Sequence, residues 1–558
     1  MSRRNCLLLS IPLALALPGH AEEVIRQDQL LAHTQVLSSD AFEGRGPGSA
    51  GEAKTVDYLV QQFKAMGLKG GAPDGSYTQP VPLVGLSTQP SLRFGGCAGK
   101  LKLDAPFDYV AFTTQAKEKI STKNSELVFV GYGVVAPEYG WDDYKGVDVR
   151  GKTLVMLIND PQVPDPQDPS KLDDSKFKGR AMSYYGRWTY KYEIAAQKGA
   201  AAAIIVHETI PAAYPYIVVV NSNARENFTI RTPDGHAGEV PVRSWIRQDR
   251  AEQLFKSCGQ DFAQLKAAAI RPDFKPVKLA GSASFTLKQT LREVQSTNVV
   301  AKLEGSDPVG KNEWLMYSAH WDHLGKRGSE IYHGAADNAI GTAALLELAR
   351  AYQDAARAGQ QPRRSVLFLA TTAEESGLLG AAYYAAKPLY PLGKTVANIN
   401  IDGVNTTGRT RDFVIVGAGQ SSMEALARDA ANAQGRVIVM ESKPENGGYF
   451  RADHFEFVKV GIPALYAGGG TDVIGKPAGY GVKKLEEYIA NDYHKPSDVV
   501  KPDWDLSGGA QDIELLYNVG RRLADGKEYP AFYAGSEFKA RQDALRAANG
   551  MGPASAAP

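Results

Sequence analysis

From Asn298 onward the sequence repeats one rhythm: a short apolar run, a polar loop, then an amphipathic helix. Strand-type runs cover Trp314 to Ala319, Ser365 to Ala370 and Val396 to Ile401, and helical patterns cover Asn338 to Ala358 and Asp505 to Ala524. Such alternation predicts a three-layer α/β/α arrangement, with helices on both faces of a central mixed sheet. In open α/β sheets, sites form outside the carboxyl ends of the strands. Here those ends run into His320-Trp-Asp322-His323, Glu374-Glu375-Ser-Gly377 and Asp402-Gly403. Two loops add Asp337-Asn338, directly before a helix, and Tyr493-His494. Singly, each piece has an ordinary structural explanation, such as an N-cap aspartate or a solvated glutamate pair. Together they form a mixed nitrogen and oxygen donor set suited to zinc or a similar divalent ion.

The rest of the chain has a different texture. Ser49 and Glu52 have capping-box spacing, Val56, Leu59, Val60 and Phe63 follow on one helical face, and Gly67 ends the pattern. From about residue 91 to 290 short β-type runs dominate, among them Leu127 to Val130, Leu154 to Ile158, Ala202 to Val206 and Ile217 to Val220, with one helical stretch from Tyr190 to Lys198. This block is expected to be a compact β-rich domain. Residues 547–558 are small and polar and are expected to form a disordered tail within a C-terminal segment, 531–558. At the other end, Arg3-Arg4, an apolar run to Leu17 and Pro18-Gly19-His20-Ala21 read as a secretory signal cut after Ala21. A Sec or a twin-arginine route fits this leader, and the location expected is periplasmic or extracellular.

Composition removes several classes of function. With 63 Lys plus Arg against 62 Asp plus Glu, no global field draws the chain to nucleic acid. After the leader no apolar stretch is long enough for a transmembrane anchor, and nothing indicates the oligomeric state. Cys97 and Cys258, the two cysteines beyond the leader, are too distant for a CxxC site and are either a disulfide or two thiols. Two nucleotide-type motifs are rejected. Gly146 to Thr153 matches the P-loop letter for letter, but a β-type run follows it instead of the helix that would face the phosphates. Gly131-Tyr-Gly133-Val-Val-Ala136 mimics a dinucleotide fingerprint, yet Pro137 leaves no helix behind it.

The ordered set Glu43-Gly-Arg45-Gly-Pro-Gly48, His320-Trp-Asp322, Gly334-Ala-Ala-Asp337-Asn338-Ala-Ile-Gly341, Glu374-Glu375-Ser-Gly377, Asp402, Arg451-Ala-Asp453-His454 and Tyr493-His494 resembles the zinc-dependent M28 aminopeptidases. The match runs over about residues 28–85 and 295–525. The 91–290 block resembles the protease-associated domain that many members carry as an insertion. The peptidase domain would then be split into residues 22–90 and 291–530.

The resemblance implies a role for each residue. Asp337 would bridge two zinc ions, His320 and Asp402 would complete one metal site, and Glu375 and His494 the other. Such a pair, about 3.5–4 Å apart, shares a water and makes hydroxide available near neutral pH. Glu374 would be the general base and Asp322 would orient the His320 imidazole. Tyr493 would steady the tetrahedral oxyanion. Arg451 is a candidate contact to the substrate backbone, and Phe450 and Phe455 are candidates for an apolar pocket. The expected activity is removal of N-terminal residues from peptides. The alternatives on the same fold are a glutamate-releasing carboxypeptidase, a single-zinc glutaminyl cyclase and a non-catalytic binding protein; all the metal ligands are present, which weighs against the last two.

Overall fold

A computed structural model describes residues 23–552 and residue 554, so the secretory leader expected at 1–21 lies outside the described residues. The expected α/β architecture is present. The central sheet has the strand order Val437–Met440, Asp412–Ile415, Ala464–Gly468, Thr395–Asn400, Trp314–His320, Ser365–Thr371 and Val277–Leu303 across its C-terminal half. Trp314–His320 pairs in parallel with both Ser365–Thr371 and Thr395–Asn400, and Thr395–Asn400 pairs in parallel with Ala464–Gly468. Val277–Leu303 pairs antiparallel with Ser365–Thr371, and Asp412–Ile415 pairs antiparallel with Ala464–Gly468 but parallel with Val437–Met440, so the sheet is mixed.

The three parallel strands at its centre are buried along their full length, which is why they are mostly apolar, and the buried Ser318, Asn398 and Asn400 among them hydrogen-bond to one another. Helices Ile340–Arg357 and Ser507–Asp525 bury one core against them, with Leu345, Leu346, Val519 and Leu516 beside Leu315, Tyr317 and Phe368. A second cluster on the opposite face joins Met316, Leu367 and Leu369 to Tyr384 and Phe457. The capping box at Ser49 forms as its spacing predicts. Ser49 Oγ accepts from Glu52 N, and Gly67 ends helix Ala50–Met66 in the left-handed conformation.

Residues 98–287 bury a core of their own around strands Ser125–Phe129, Thr153–Leu157, Ala202–His207 and Val242–Arg247. It joins the other core through a two-stranded ribbon. Thr78–Gly96 and Val277–Leu303 pair antiparallel from Thr78↔Val299 to Gly96↔Gly281, crossing positions 91 and 290 without a break. Cys97 and Cys258 form a disulfide that ties the end of this ribbon to helix Gln248–Ser257. The P-loop mimic turns at Gly151 and its last residue, Thr153, already begins strand Thr153–Leu157, so no helix opens behind it.

Two segments differ from their sequence-based expectation. Ile217 to Val220 is helical within Tyr216–Asn223, not a strand. Val218, Val219, Val220 and Asn221 are all buried, so enclosure on every side outweighs the local β preference of the valines. The C-terminal segment is packed as far as residue 548. Helix Lys539–Ala548 is anchored by Gln542, which donates to Pro530 O and accepts from Phe532 N, while Phe532 and Phe538 bury their rings. Among the described residues no helix is long and apolar enough to cross a membrane.

His207, at the end of a buried strand, illustrates what enclosure costs a titratable group. Burial pushes its imidazole down to about 4, beside Tyr216 and Trp245. Because the folded pKa lies below the unfolded value, the unfolded chain binds the extra proton, and stability falls as pH drops from about 6.5 towards 4. Relative to His207→Gln, the wild type should lose about 2 kcal/mol between pH 7 and pH 5. Urea unfolding of both proteins at the two pH values checks this; a pH-independent difference would refute it.

Candidate active site

The register of the parallel strands puts the chemistry on one edge. His320 is the last residue of its strand, Glu374 and Glu375 follow Ser365–Thr371 by a short turn, and Asp402 follows Thr395–Asn400. Asp337 stands just ahead of helix Ile340–Arg357. Hydrogen bonds hold its loop in place. Asp498 accepts from Ala336 N at 3.0 Å and from Asp337 N at 3.1 Å. Asn338 Oδ1 accepts from Gly341 N and Gly403 N, and its amide donates to Ile401 O, which fastens the Asp337 loop to the Asp402 turn. A Cβ at Gly341 would collide with Asn338 Oδ1, so this close approach needs glycine.

Arg45, fully buried, donates to four carbonyls, those of Leu37, Trp321, His333 and Gly334. It thereby braces both the His320 strand end and the Asp337 loop. The Glu43 to Gly48 motif thus works as a strut beneath the site.

Five of the expected ligands converge. His320 Nε2 lies 3.3 Å from Asp402 Oδ1 and 3.4 Å from Asp337 Oδ1. His494 Nε2 lies 3.1 Å from Asp337 Oδ2 and 3.1 Å from Glu375 Oε2. Asp337 therefore faces an imidazole with each of its oxygens. Two donors on one tetrahedral zinc, with bonds of about 2.0–2.1 Å, stand about 3.3–3.4 Å apart, so these spacings suit a shared cation. His323 is a sixth candidate that sequence reasoning gave no role. Its Nδ1 is 2.6 Å from Glu375 Oε1 and 4.0 Å from Asp337 Oδ2, so the Glu375 side offers two imidazoles.

The electrostatics of the site suit a divalent cation. Burial, with Glu375, Asp402 and Asp453 nearby, holds Glu374 well above the usual carboxylate range despite the opposing pull of His320. Burial likewise pushes Asp322, Asp453 and Asp498 each up to about 7. Burial opposes charge on His320, yet Glu374, Asp337 and Asp402 together raise its imidazole well above normal. So many carboxylates crowded out of water are a poor arrangement for the protein alone and a good one for divalent metal.

Asp322 takes a different position from the one expected. Its carboxylate accepts from Glu374 N at 3.0 Å and Glu375 N at 3.4 Å, and it stands 3.8 Å from His320 Nδ1. The imidazole is instead held by the Asp322 backbone carbonyl, 3.1 Å from Nδ1. Asp322 thus shapes the glutamate turn, and its carbonyl aims His320 Nε2 inward.

The β-rich block reaches the site as well. From helix Tyr216–Asn223, Ser222 Oγ lies 3.0 Å from His494 Nδ1 and Asn221 donates to His494 O at 3.0 Å, while Arg225 donates to Glu375 O at 3.0 Å. The one sequence signal for these contacts was a polar Asn-Ser-Asn closing an apolar run.

A cavity of about 150 Å³ opens beside Glu374, Glu375, Tyr493 and His494 and is also lined by Arg187, Trp188, Tyr214 and Trp245 of the β-rich block. The Tyr493 ring lies over that of His494, centroids 4.0 Å apart, and burial beside Asp337 and Glu375 keeps its phenol protonated. Arg451 also lines the cavity, donating to Ala212 O and stacking on Tyr214. Phe450 and Phe455 do not line it. Both are buried with Tyr449, Phe532 and Phe538, because the C-terminal segment folds back over them.

The profile described as Peptidase family M28 matches residues 298–517. Mouse (Mus musculus) aminopeptidase NAALADL1 is 36% identical over 109 residues, which is 19% of this chain and 13% of the relative. Leupeptin-inactivating enzyme 1 of Streptomyces exfoliatus is 30% identical over 201 residues, 35% of this chain and 42% of the relative. The chain thus spans less than half the length of either of these relatives. The solved aminopeptidase from Aneurinibacillus sp. strain AM-1 superposes with a TM-score of 0.50 at 20% identity, covering 90% of this chain and 94% of that one, which establishes a shared fold.

Proposed function

We propose that this chain, whose residues 298–517 belong to peptidase family M28, is a zinc-dependent exopeptidase that removes N-terminal residues from peptides. The observation that carries the reading is the paired donor set, in which Asp337 faces His320 and Asp402 on one side and His494 and Glu375 on the other. These five residues would hold two zinc ions, with His323 standing next to the second group. Bound zinc supplies Lewis-acid polarisation of the scissile carbonyl and lowers the pKa of the attacking water.

The chain's own residues do the rest. Glu374 takes the water's proton and passes it to the leaving amine; a carboxylate that prefers to be protonated in this pocket is suited to giving the proton back. The protonated Tyr493 phenol donates to the oxygen that gains charge as the carbonyl becomes tetrahedral. Asp322 fixes the turn on which Glu374 and Glu375 diverge, one towards water and one towards metal. Ser222 holds His494 through Nδ1 and leaves Nε2 free for zinc. The surplus of carboxylates favours a free α-ammonium group, and hence the N-terminal end of a peptide. The Cys97–Cys258 disulfide supports export to an oxidising compartment, in keeping with the leader read at 1–21.

Leucine anilide should be hydrolysed, its N-acetyl derivative should not, and activity should vanish with a chelator and return with Zn²⁺. Two zinc ions per chain are expected at saturation, and one would favour a cyclase-like site. Cleavage of an N-acetylated peptide at a C-terminal glutamate, with the free-amine anilide untouched, would replace the aminopeptidase reading with a carboxypeptidase.

A further inference from the structure

The cavity beside Glu374 carries a charge arrangement that hydrolysis of an anilide does not require. Arg187, only 7% exposed, donates through Nε to Thr189 Oγ1, while its Nη1 is buried with no hydrogen-bond partner. Arg451 donates to one backbone carbonyl, that of Ala212. Among the described residues, no carboxylate lies within 4.0 Å of either guanidinium. Both guanidiniums line the same cavity. Burial and then Arg451 depress Arg187, with Glu456, Tyr184 and Glu374 acting in the opposite sense. A third arginine lining this cavity, Arg243, is ion-paired with Glu239, although its Nε is likewise buried without a hydrogen-bond partner. A buried guanidinium with no ion-pair partner is costly, and a second cation on the same cavity makes it more so, unless an anion joins them.

We propose that Arg187 and Arg451 form a subsite for a carboxylate of the peptide substrate, so that the enzyme prefers substrates bearing a negative group close to the scissile bond. The proposal rests on the peptidase reading and specifies its substrate class. A carboxylate fits because a guanidinium fork binds it bidentately and because it is the anion that peptides carry. Trp188, Tyr214 and Trp245 line the same cavity, and their rings suit a short apolar arm leading to the charge. The carboxylate has two sources: the C-terminal α-carboxylate of a dipeptide, or an acidic side chain on either residue flanking the bond.

The test measures binding, so that it is independent of turnover. Reduced-bond analogues, with CH₂NH in place of the scissile amide, are titrated calorimetrically into the zinc-loaded full chain. Leu-Ala amide is the neutral reference; Leu-Ala acid, Glu-Ala amide and Leu-Glu amide each place one carboxylate differently. At least one acidic analogue should bind about tenfold or more tightly than the reference, as charge-assisted pairing requires. That preference should fall below about twofold in Arg187→Gln and survive in part in Arg187→Lys. Equal affinities for all four analogues in the wild type would overturn the proposal whether or not the variants fold. Leucine anilide, which has no carboxylate, reports separately on the parent reading. Its hydrolysis without any acidic preference sinks the subsite alone, and acidic preference without hydrolysis of any peptide sinks the aminopeptidase alone.

Discussion

Glu374→Gln should lower kcat on leucine anilide by about 10³-fold, within the range expected for loss of a general acid–base group, while zinc content stays at the wild-type level. The substitution is close to isosteric. It leaves untouched the backbone N–H that Asp322 accepts, so the turn carrying Glu375 keeps its shape. A second readout separates chemistry from damage. Glu374 is buried among Glu375, Asp402 and Asp453, and its ionised form is disfavoured there. A neutral amide relieves that repulsion, so the metal-free variant should melt at a higher temperature than the metal-free wild type. Inactivity combined with raised apo stability is the signature of a residue retained for chemistry at a cost to the fold. Activity within tenfold of wild type would remove Glu374 from the role of base, and loss of zinc would move it among the ligands.

How legible this site was in the sequence depends on how local each determinant is. His320, Glu374, Glu375 and Asp402 could be placed because a buried parallel strand advertises itself as an apolar run, and the residue that ends the run lands at the sheet edge. Asp337 and Asn338 could be placed because their loop opens a helix. Phe450 and Phe455 could not be assigned correctly to surface or core from local pattern, since the rings that enclose them include Tyr184, far upstream in the β-rich block, and Phe532 and Phe538, some 80 residues later. The helical state of Val218 to Val220 was hidden for a related reason: enclosure by distant parts of the chain overrode a β-type sequence. Ser222, Asn221 and Arg225 illustrate the strongest limit. They come from the β-rich block, and their contacts to His494 and Glu375 span 272, 273 and 150 residues. No spacing rule reaches that far, and only the return of the ribbon Thr78–Gly96 with Val277–Leu303 brings the two regions face to face.

Asp337→Ala should be the most damaging single change at the metal centre, because each of its two oxygens faces a different imidazole. Zinc at saturation should fall from two per chain to below one, and kcat/KM should fall by about 10⁴-fold or more, since neither Lewis-acid function survives. One-sided variants provide the comparison. Asp402→Ala removes a donor from the His320 group only, and Glu375→Ala from the His494 group only, so each should lose one zinc and keep the other. Ser222→Ala leaves every ligand in place and frees the His494 ring, which should weaken one zinc by about 10- to 100-fold in competition with a chelator without changing the stoichiometry. His323 and His494 compete for the same assignment. His494 is favoured because its Nε2 is 3.1 Å from both carboxylates while its Nδ1 is held by Ser222, whereas His323 Nδ1 stands 4.0 Å from Asp337. If His323→Ala loses a zinc and His494→Ala does not, the assignment reverses, and with it the reason for a serine at position 222. Retention of two zinc ions by Asp337→Ala would show that the two donor groups are independent sites, and a bridging carboxylate would no longer be part of the mechanism.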